Sequence, residues 1–282
     1  MNLQNYLQKA KKQKWAIGQF NFSTIEQLRG ILAAVKNLKS PAILGTSEGE
    51  SKFLGLKEII ALVEISKMKC RTPVFLNLDH GKDSRWIKKA IDYGYNAVHF
   101  DGSELSLKEN IKRTKKIVEH AHKKGVLVEG ELGIIKGESR AHKKGVMIRK
   151  KDLTSLIEVV KFLKETKVDS LAVAIGNIHG VYEQMPKIDF ERLKEINKIT
   201  PSFLVLHGGS GISQQDIKTA IRRGIVKINF NTELRLVWKE SLEKFLKKAK
   251  EPKPYKILVR VQNTIQKKVE EKIILLGSKN KI

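Results

Sequence analysis

Three histidines, a carboxylate and a glycine-rich turn set the chemistry open to this chain. His80, His179 and His207 each follow a short apolar run. Three neutral imidazoles with a vacant fourth position make a catalytic zinc site, because a structural site closes all four positions. Asp79 stands directly before His80. A carboxylate beside Zn2+ is suited to proton transfer with a substrate oxygen. Asp79 could instead cap the following helix, but Asp83-Ser84 is better placed for that job. Gly208-Gly209-Ser210-Gly211 precedes a helical segment near 213–223. Glycines let backbone N–H groups close around an anion, and the helix N-terminus adds partial positive charge. Asn229, Asn231 and Thr232 stand where they could complete a phosphate cradle. His120, His122 and His142 lie in lysine-rich stretches and read as solvated, and His99 reads as an interior residue of a strand.

These residues need elements that deliver them to one place. Short runs rich in β-branched residues predict eight strands, at 16–20, 42–46, 74–78, 97–100, 126–128, 170–175, 203–206 and 226–230. Amphipathic segments such as 25–38, 56–68, 84–93 and 107–123 lie between them. Strands alternating with helices imply a parallel sheet, and eight such units imply closure into a (β/α)8 barrel. The length of 282 residues suits one domain of that kind, 1–282, since such barrels usually need ~250 residues. The tail from 238 onward reads as extra helix beyond the eighth unit. A barrel does its chemistry at the C-terminal ends of its strands. Nearly every candidate strand ends there in a useful polar residue: Asn21, Ser47, Asp79-His80, Asp101, Glu129 with Glu131, His207 and Asn229. A phosphate site after strands seven and eight is common in barrels, which is where the glycine-rich turn and Asn229 fall.

Composition narrows the partners. Lys+Arg number 55 against Asp+Glu 30, a net charge of +25. The lysines are spread along helical segments and form no cluster interleaved with aromatics, so nucleic acid is not the expected partner. The field favours anionic substrates such as sugar phosphates. No apolar run approaches the ~20 residues of a membrane span. The start carries no basic stretch followed by an apolar block, which argues against a secretory leader. A single cysteine, Cys70, fits a reducing compartment, so the expected location is the cytoplasm. The hexapeptide at 121–126 recurs at 141–146 without any longer repeat around it.

The order of motifs resembles the class II fructose-bisphosphate and tagatose-bisphosphate aldolases. The residues that carry the likeness are Asp79-His80, then Glu129-Gly130-Glu131-Leu132-Gly133, then 168–176 leading to His179-Gly180. They continue with Leu206-His207-Gly208-Gly209-Ser210-Gly211, then Lys227-Ile228-Asn229, and Thr232-Glu233-Leu234-Arg235. The likeness covers residues 1–278. It implies that His80, His179 and His207 bind a catalytic Zn2+, with Asp101 and Glu131 at positions that can take a second or displaced ion. It implies Asp79 as acid/base at the aldehyde-derived oxygen. It implies Gly180, Gly208, Gly209, Ser210, Asn229, Asn231 and Thr232 around dihydroxyacetone phosphate, with Asn21 and Ser47 in the substrate pocket. A monovalent cation is a further candidate cofactor, and a homodimer or homotetramer the implied assembly. The implied reaction is reversible cleavage of fructose 1,6-bisphosphate to dihydroxyacetone phosphate and glyceraldehyde 3-phosphate, a step of glycolysis and gluconeogenesis. A tagatose 1,6-bisphosphate aldolase and a low-activity assembly or binding subunit of the same fold are the alternatives.

One run departs from the pattern. After Glu131-Leu132-Gly133 the family carries two glycines and then an acidic pair, one of which is the C3 base. Here the run is Ile134-Ile135-Lys136-Gly137-Glu138-Ser139-Arg140, leading into a basic stretch at 142–151. Glu138 is the candidate base, reached by a one-residue deletion in a loop that tolerates length changes; otherwise Ser139 occupies its place.

Overall fold

Short apolar segments buried on both faces have one way to satisfy their backbone: pairing with like segments on either side. In the computed structural model, which describes residues 1–142 and 145–282, eight of them close on themselves. They are β1 (Ile17–Asn21), β2 (Ala42–Ser47), β3 (Val74–Gly81), β4 (Ala97–Phe100), β5 (Leu127–Leu132), β7 (Ser170–Val173), β9 (Phe203–Leu206) and β10 (Ile225–Phe230). All neighbours run parallel, in the cyclic order β1-β10-β9-β7-β5-β4-β3-β2. The predicted (β/α)8 barrel is therefore present. Two short strands outside it, β6 (Gly137–His142) and β8 (His179–Tyr182), pair with each other as a flap.

Helices alternate with the strands. They are α1 (Leu3–Gln13), α2 (Ile25–Asn37), α3 (Glu48–Leu54), α4 (Leu56–Cys70), α5 (Ser84–Tyr93) and α6 (Leu107–His122). The second half holds α7 (Leu156–Thr166), α8 (Phe190–Ile199), α9 (Gln214–Arg222), α10 (Thr232–Lys248) and α11 (Pro254–Leu275). Start signals in the sequence explain many of the boundaries. Thr24, Asp83, Ser106, Asp189 and Ser213 each accept a first-turn backbone N–H at the head of α2, α5, α6, α8 and α9. Ser47 and Glu50 form a reciprocal capping box on α3. The tail folds as α10 and α11. Helix α11 buries Val261, Ile265, Val269 and Ile273, and packs so closely on α2 that a Cβ at Gly30 would stand 2.8 Å from the Gln262 carbonyl.

Helix α1 decides which end of the barrel is open. Its Leu3, Tyr6, Leu7 and Ala10 pack on Ile17, Ile43, Phe75, Ala97 and Val226, which lie at or near the N-terminal ends of five strands. That mouth is plugged with hydrocarbon, so polar chemistry is confined to the opposite end. Lys143 and Lys144, within the basic run at 142–151, lie outside the described residues. No helix of the described residues is long and apolar enough to cross a membrane.

Candidate active site and metal centre

The C-terminal rim gathers the polar strand ends. Strand β3 continues past its apolar core through Asp79, His80 and Gly81. His80 takes a left-handed backbone, φ +48°. Such a conformation is uncommon outside glycine and breaks the strict alternation of a strand, and here both Asp79 and His80 line the same cleft. Their companions there include Ser47, Ser139, His179, His207, Gly208 and Ser210. Asn229, Asn231, Thr232 and Arg235 complete the lining.

His80 and His207 face each other, Nε2 to Nδ1, at 2.9 Å. The His179 ring stands edge-on to His80 at 4.8 Å between centroids and 6.1 Å from His207. The ligand atoms of Asp79, His80, His99 and His207 lie within 4.8 Å of one another, as do those of His80, Asp101 and Glu131. His99 is fully buried, as its mid-strand position implies, yet it also belongs to this cluster. Its Nδ1 accepts the His80 backbone N–H at 3.2 Å. Its Nε2 and Glu131 Oε2 stand 3.3 Å apart, both buried, and neither completes a hydrogen bond. Buried polar atoms without partners are costly; with Nδ1 accepting, His99 Nε2 carries the hydrogen, and the open lone pair is that of Glu131 Oε2, so a cation held by Glu131 with His80 and Asp101 fits the donor set present. Imidazole nitrogen and carboxylate oxygen are ligands that suit zinc.

Electrostatics divide the cluster into charged and neutral members. Burial opposes charge on Asp79, but His80, His207, His99 and Lys227 outweigh it and hold the carboxyl well below its ordinary range. His179 is kept neutral by burial and by the neighbouring His80 and His207. Burial also lowers His207, although Glu129 pulls the other way. His80 is pushed up to about 9 against the effect of burial, by Asp79 and by Asp101, whose Oδ2 lies 3.1 Å from Nδ1.

Beneath the cluster, Glu129 Oε1 accepts from His207 Nε2 at 2.6 Å, and its Oε2 accepts from the Lys227 ammonium at 2.6 Å. An ionised carboxylate has no proton to give, so Nε2 of His207 carries the hydrogen and Nδ1 presents its lone pair upward. Glu129 was expected on the rim beside Glu131 without an assigned role, and Lys227 stood only within a motif. A lysine in the fully buried strand Ile225–Phe230 was the available signal, because a buried cation needs a counter-charge. Asp79 is fixed by two side-chain amides, Asn21 Nδ2 to Oδ2 at 2.9 Å and Asn229 Nδ2 to Oδ1 at 3.1 Å.

The glycines divide in role. Gly208 (φ +65°) lines the cleft beside Ser210. Gly209 does not: its N–H is used on the Asn229 carbonyl at 3.1 Å, and a Cβ there would meet Ile228 at 2.6 Å. Gly180 (φ +107°) lies within β8 of the flap, where a Cβ would stand 2.5 Å from the Glu138 carbonyl. Gly208 and Ser210 therefore line the cleft directly, while Gly180 and Gly209 stand where close packing leaves no room for a Cβ.

Glu138 is not brought to the cluster. Its side chain is 70% exposed and pairs with Arg140 Nε at 2.9 Å. On β6 it faces away from the cleft, and its neighbour Ser139 lines it. His142, expected in solvent, instead stacks on Tyr182 at 4.3 Å and pins the end of the flap. Glu50 was missed. It is 7% exposed, and its Oε2 accepts from Asn21 at 3.1 Å and from the Ser47 backbone at 2.7 Å. Its Oε1 accepts from Asn231 at 3.3 Å and Arg235 at 2.6 Å. The Ser47-to-Glu50 spacing of a capping box was its signal.

Residues 1–281 match the family model described as fructose-bisphosphate aldolase class-II. A fructose-bisphosphate aldolase of Geobacillus stearothermophilus is 37% identical, over 100% of this chain and 98% of the relative. A sulfofructosephosphate aldolase of Alkalicoccus urumqiensis is 36% identical, over 98% of this chain and 96% of the relative. Among solved structures, the YdjI aldolase of Escherichia coli K12 matches with a TM-score of 0.87 at 32% identity, over 99% of this chain and 98% of that one.

Proposed function

This chain belongs to the class II fructose-bisphosphate aldolase family, and from that premise we propose that it is a zinc-dependent lyase that reversibly cleaves fructose 1,6-bisphosphate. The observation that carries the reading is the facing pair His80 and His207, with His179 against them and the anchored Asp79 beside them. His80, His179 and His207 would hold the ion. The chemistry a bound Zn2+ supplies is Lewis-acid polarisation of the ketose oxygens.

The chain's own groups do the rest. In cleavage, Asp79 accepts the C4 hydroxyl proton as the C3–C4 bond opens and the aldehyde departs. Its two amide anchors keep it aimed and leave it ionised. Gly208, Ser210, Asn229, Asn231 and Thr232 receive the triose phosphate, where backbone N–H groups and the α10 terminus favour an anion. Glu138 is the proposed group that exchanges the C3 proton. The β6–β8 ladder shifts register between Gly137 and Ala141, the stretch that contains Glu138. A one-residue slip there exchanges the two faces of the strand and would turn Glu138 inward in place of Ser139. Tagatose 1,6-bisphosphate, which differs at one stereocentre, is the alternative substrate. A cytoplasmic homo-oligomer is the proposed form of the protein.

Two expected results test this. In a coupled assay the purified protein cleaves fructose 1,6-bisphosphate faster than the tagatose isomer. A chelator abolishes the activity, and His179→Ala removes both bound zinc and turnover. Cleavage that survives chelation overturns the zinc reading. Separately, Glu138→Ala lowers kcat by about 10²-fold, the lower end of what a positioned proton-transfer group contributes. Equal turnover by both proteins removes Glu138 from the mechanism, and equally negligible turnover favours the assembly-subunit reading, for which the outward Glu138 is the supporting observation.

A further inference from the structure

A lysine on the buried stripe of α11 has no role in the reading above. The stripe runs Val261, Ile265, Val269, Lys272 and Ile273, and Lys272 is 7% exposed. An ammonium in such a place needs a counter-charge. Glu233 supplies it, with Oε2 at 2.6 Å from Nζ. The ammonium also lies 5.2 Å from the centroid of the Phe230 ring.

Glu233 belongs to the first turn of α10, between Thr232 and Arg235, which both line the cleft. Glu233 itself is not among the described residues that line it. A carboxylate is favoured at a helix N-terminus for the same reason that a phosphate is. The two anions therefore compete for one patch of positive potential, and the contacts of Glu233 show how that competition is settled. Its Oε2 is matched by Lys272, and its Oε1 accepts the Gly211 N–H at 3.1 Å. Its backbone N–H donates to Ser210 Oγ at 3.2 Å. Engaged as an acceptor, that hydroxyl keeps its own hydrogen to give, and Ser210 lines the cleft. Glu233 thus ties the glycine-rich turn to α10 at two successive residues while its charge is met from α11. We propose that Lys272, acting through Glu233, is a positioning residue of the phosphate cradle: it holds and neutralises the carboxylate, so that a phosphate can be received at the start of α10. This assignment rests on the aldolase reading, which places the triose phosphate there.

The test separates binding from turnover. Dihydroxyacetone phosphate is titrated calorimetrically into the zinc-loaded protein, and cleavage of fructose 1,6-bisphosphate is followed in parallel. Lys272→Met leaves the Glu233 carboxylate unmatched beside the bound phosphate and is expected to weaken dihydroxyacetone phosphate binding by about 10–100-fold, the scale of a like-charge juxtaposition. The loss shows in KM more than in kcat, because Asp79 and the histidines are untouched. Lys272→Arg keeps most of the affinity. Lys272→Met combined with Glu233→Gln recovers it to within a few-fold, because a neutral amide repels no phosphate; a merely structural contact would leave the double variant as weak as the single one. Should Lys272→Met not fold, the double variant, which buries no unmatched charge, carries the test, and binding weakened there by the same factor overturns the assignment. Unchanged affinity in Lys272→Met overturns it as well. Binding that depends on Lys272 in a protein that cleaves neither ketose bisphosphate overturns the aldolase reading and leaves this assignment standing. A protein that neither binds dihydroxyacetone phosphate nor cleaves overturns both.

Discussion

Asp79→Asn is expected to lower turnover by about 10²–10⁴-fold, the range for a positioned acid or base. The substitution keeps the shape of the side chain and removes its ability to take a proton. The expected pattern is a loss in kcat with KM changed only a few-fold, since the carboxylate acts where charge moves and not where the phosphate is held. A second route to the same loss must be separated from it. Asp79 belongs to the cluster that could hold the ion, so a weaker site would also depress the rate. Zinc content measured on the purified variant distinguishes the two. Retained zinc with collapsed kcat supports proton transfer, and kcat within ten-fold of the unaltered enzyme removes Asp79 from that role.

Much of the scaffold was legible because its strands are buried on both faces. A segment such as Ile225–Phe230 has no solvent side to alternate toward, so it reads as a continuous apolar run. The errors fall at the C-terminal ends. Strand three was expected to stop at 78 and runs to Gly81; strand five was expected at 126–128 and runs from Leu127 to Leu132. The added residues include Asp79, His80, Glu129 and Glu131, whose polarity marks a loop by composition. In the fold they are gathered at a shared polar centre with His99, Asp101 and His207, which local sequence does not reveal. The flap was missed for a related reason. Gly137–His142 is charged and largely exposed, so it carries no hydrophobic alternation, and its strand character comes from pairing with residues about forty positions away.

The candidate site was legible in its members more than in their connections. The histidines and Asp79 announce themselves by type and by position on the rim. Glu50 does not, because an acidic residue at the third position of a helix is first explained by the capping box it also forms. Its second use, holding Arg235 across 185 positions of sequence, exists only once α3 and α10 are brought together. Gly209 makes the complementary point. The glycine-rich turn reaches the cleft through Gly208 and Ser210, but counting glycines could not tell that the Gly209 N–H is spent on the backbone.

The pair Lys227 and Glu129 yields the second large expectation. Lys227→Met lowers unfolding stability by about 3–5 kcal/mol, the usual cost of removing one partner from a buried ion pair. Lys227 is 4% exposed and Glu129 3%, so no water replaces the lost ammonium. In the intact protein burial works against the charge on Glu129, and Lys227 and then His207 hold its carboxyl well below the ordinary range. Without Lys227 the carboxylate keeps only His207 as a donor. It then either stays charged at high cost or takes up a proton and presents a different face to the histidine. The second outcome disturbs the Nδ1 lone pair of His207, so zinc affinity is expected to fall by about 10–100-fold, as it does when the groups supporting a metal ligand are removed. Urea unfolding in excess zinc and a zinc titration of the chelated protein measure the two effects separately. Lys227→Met combined with Glu129→Gln restores much of the stability, because a neutral amide needs no counter-charge. A single-variant loss below about 1 kcal/mol, the scale of an exposed pair, would show that the pair contributes no more than a surface contact does.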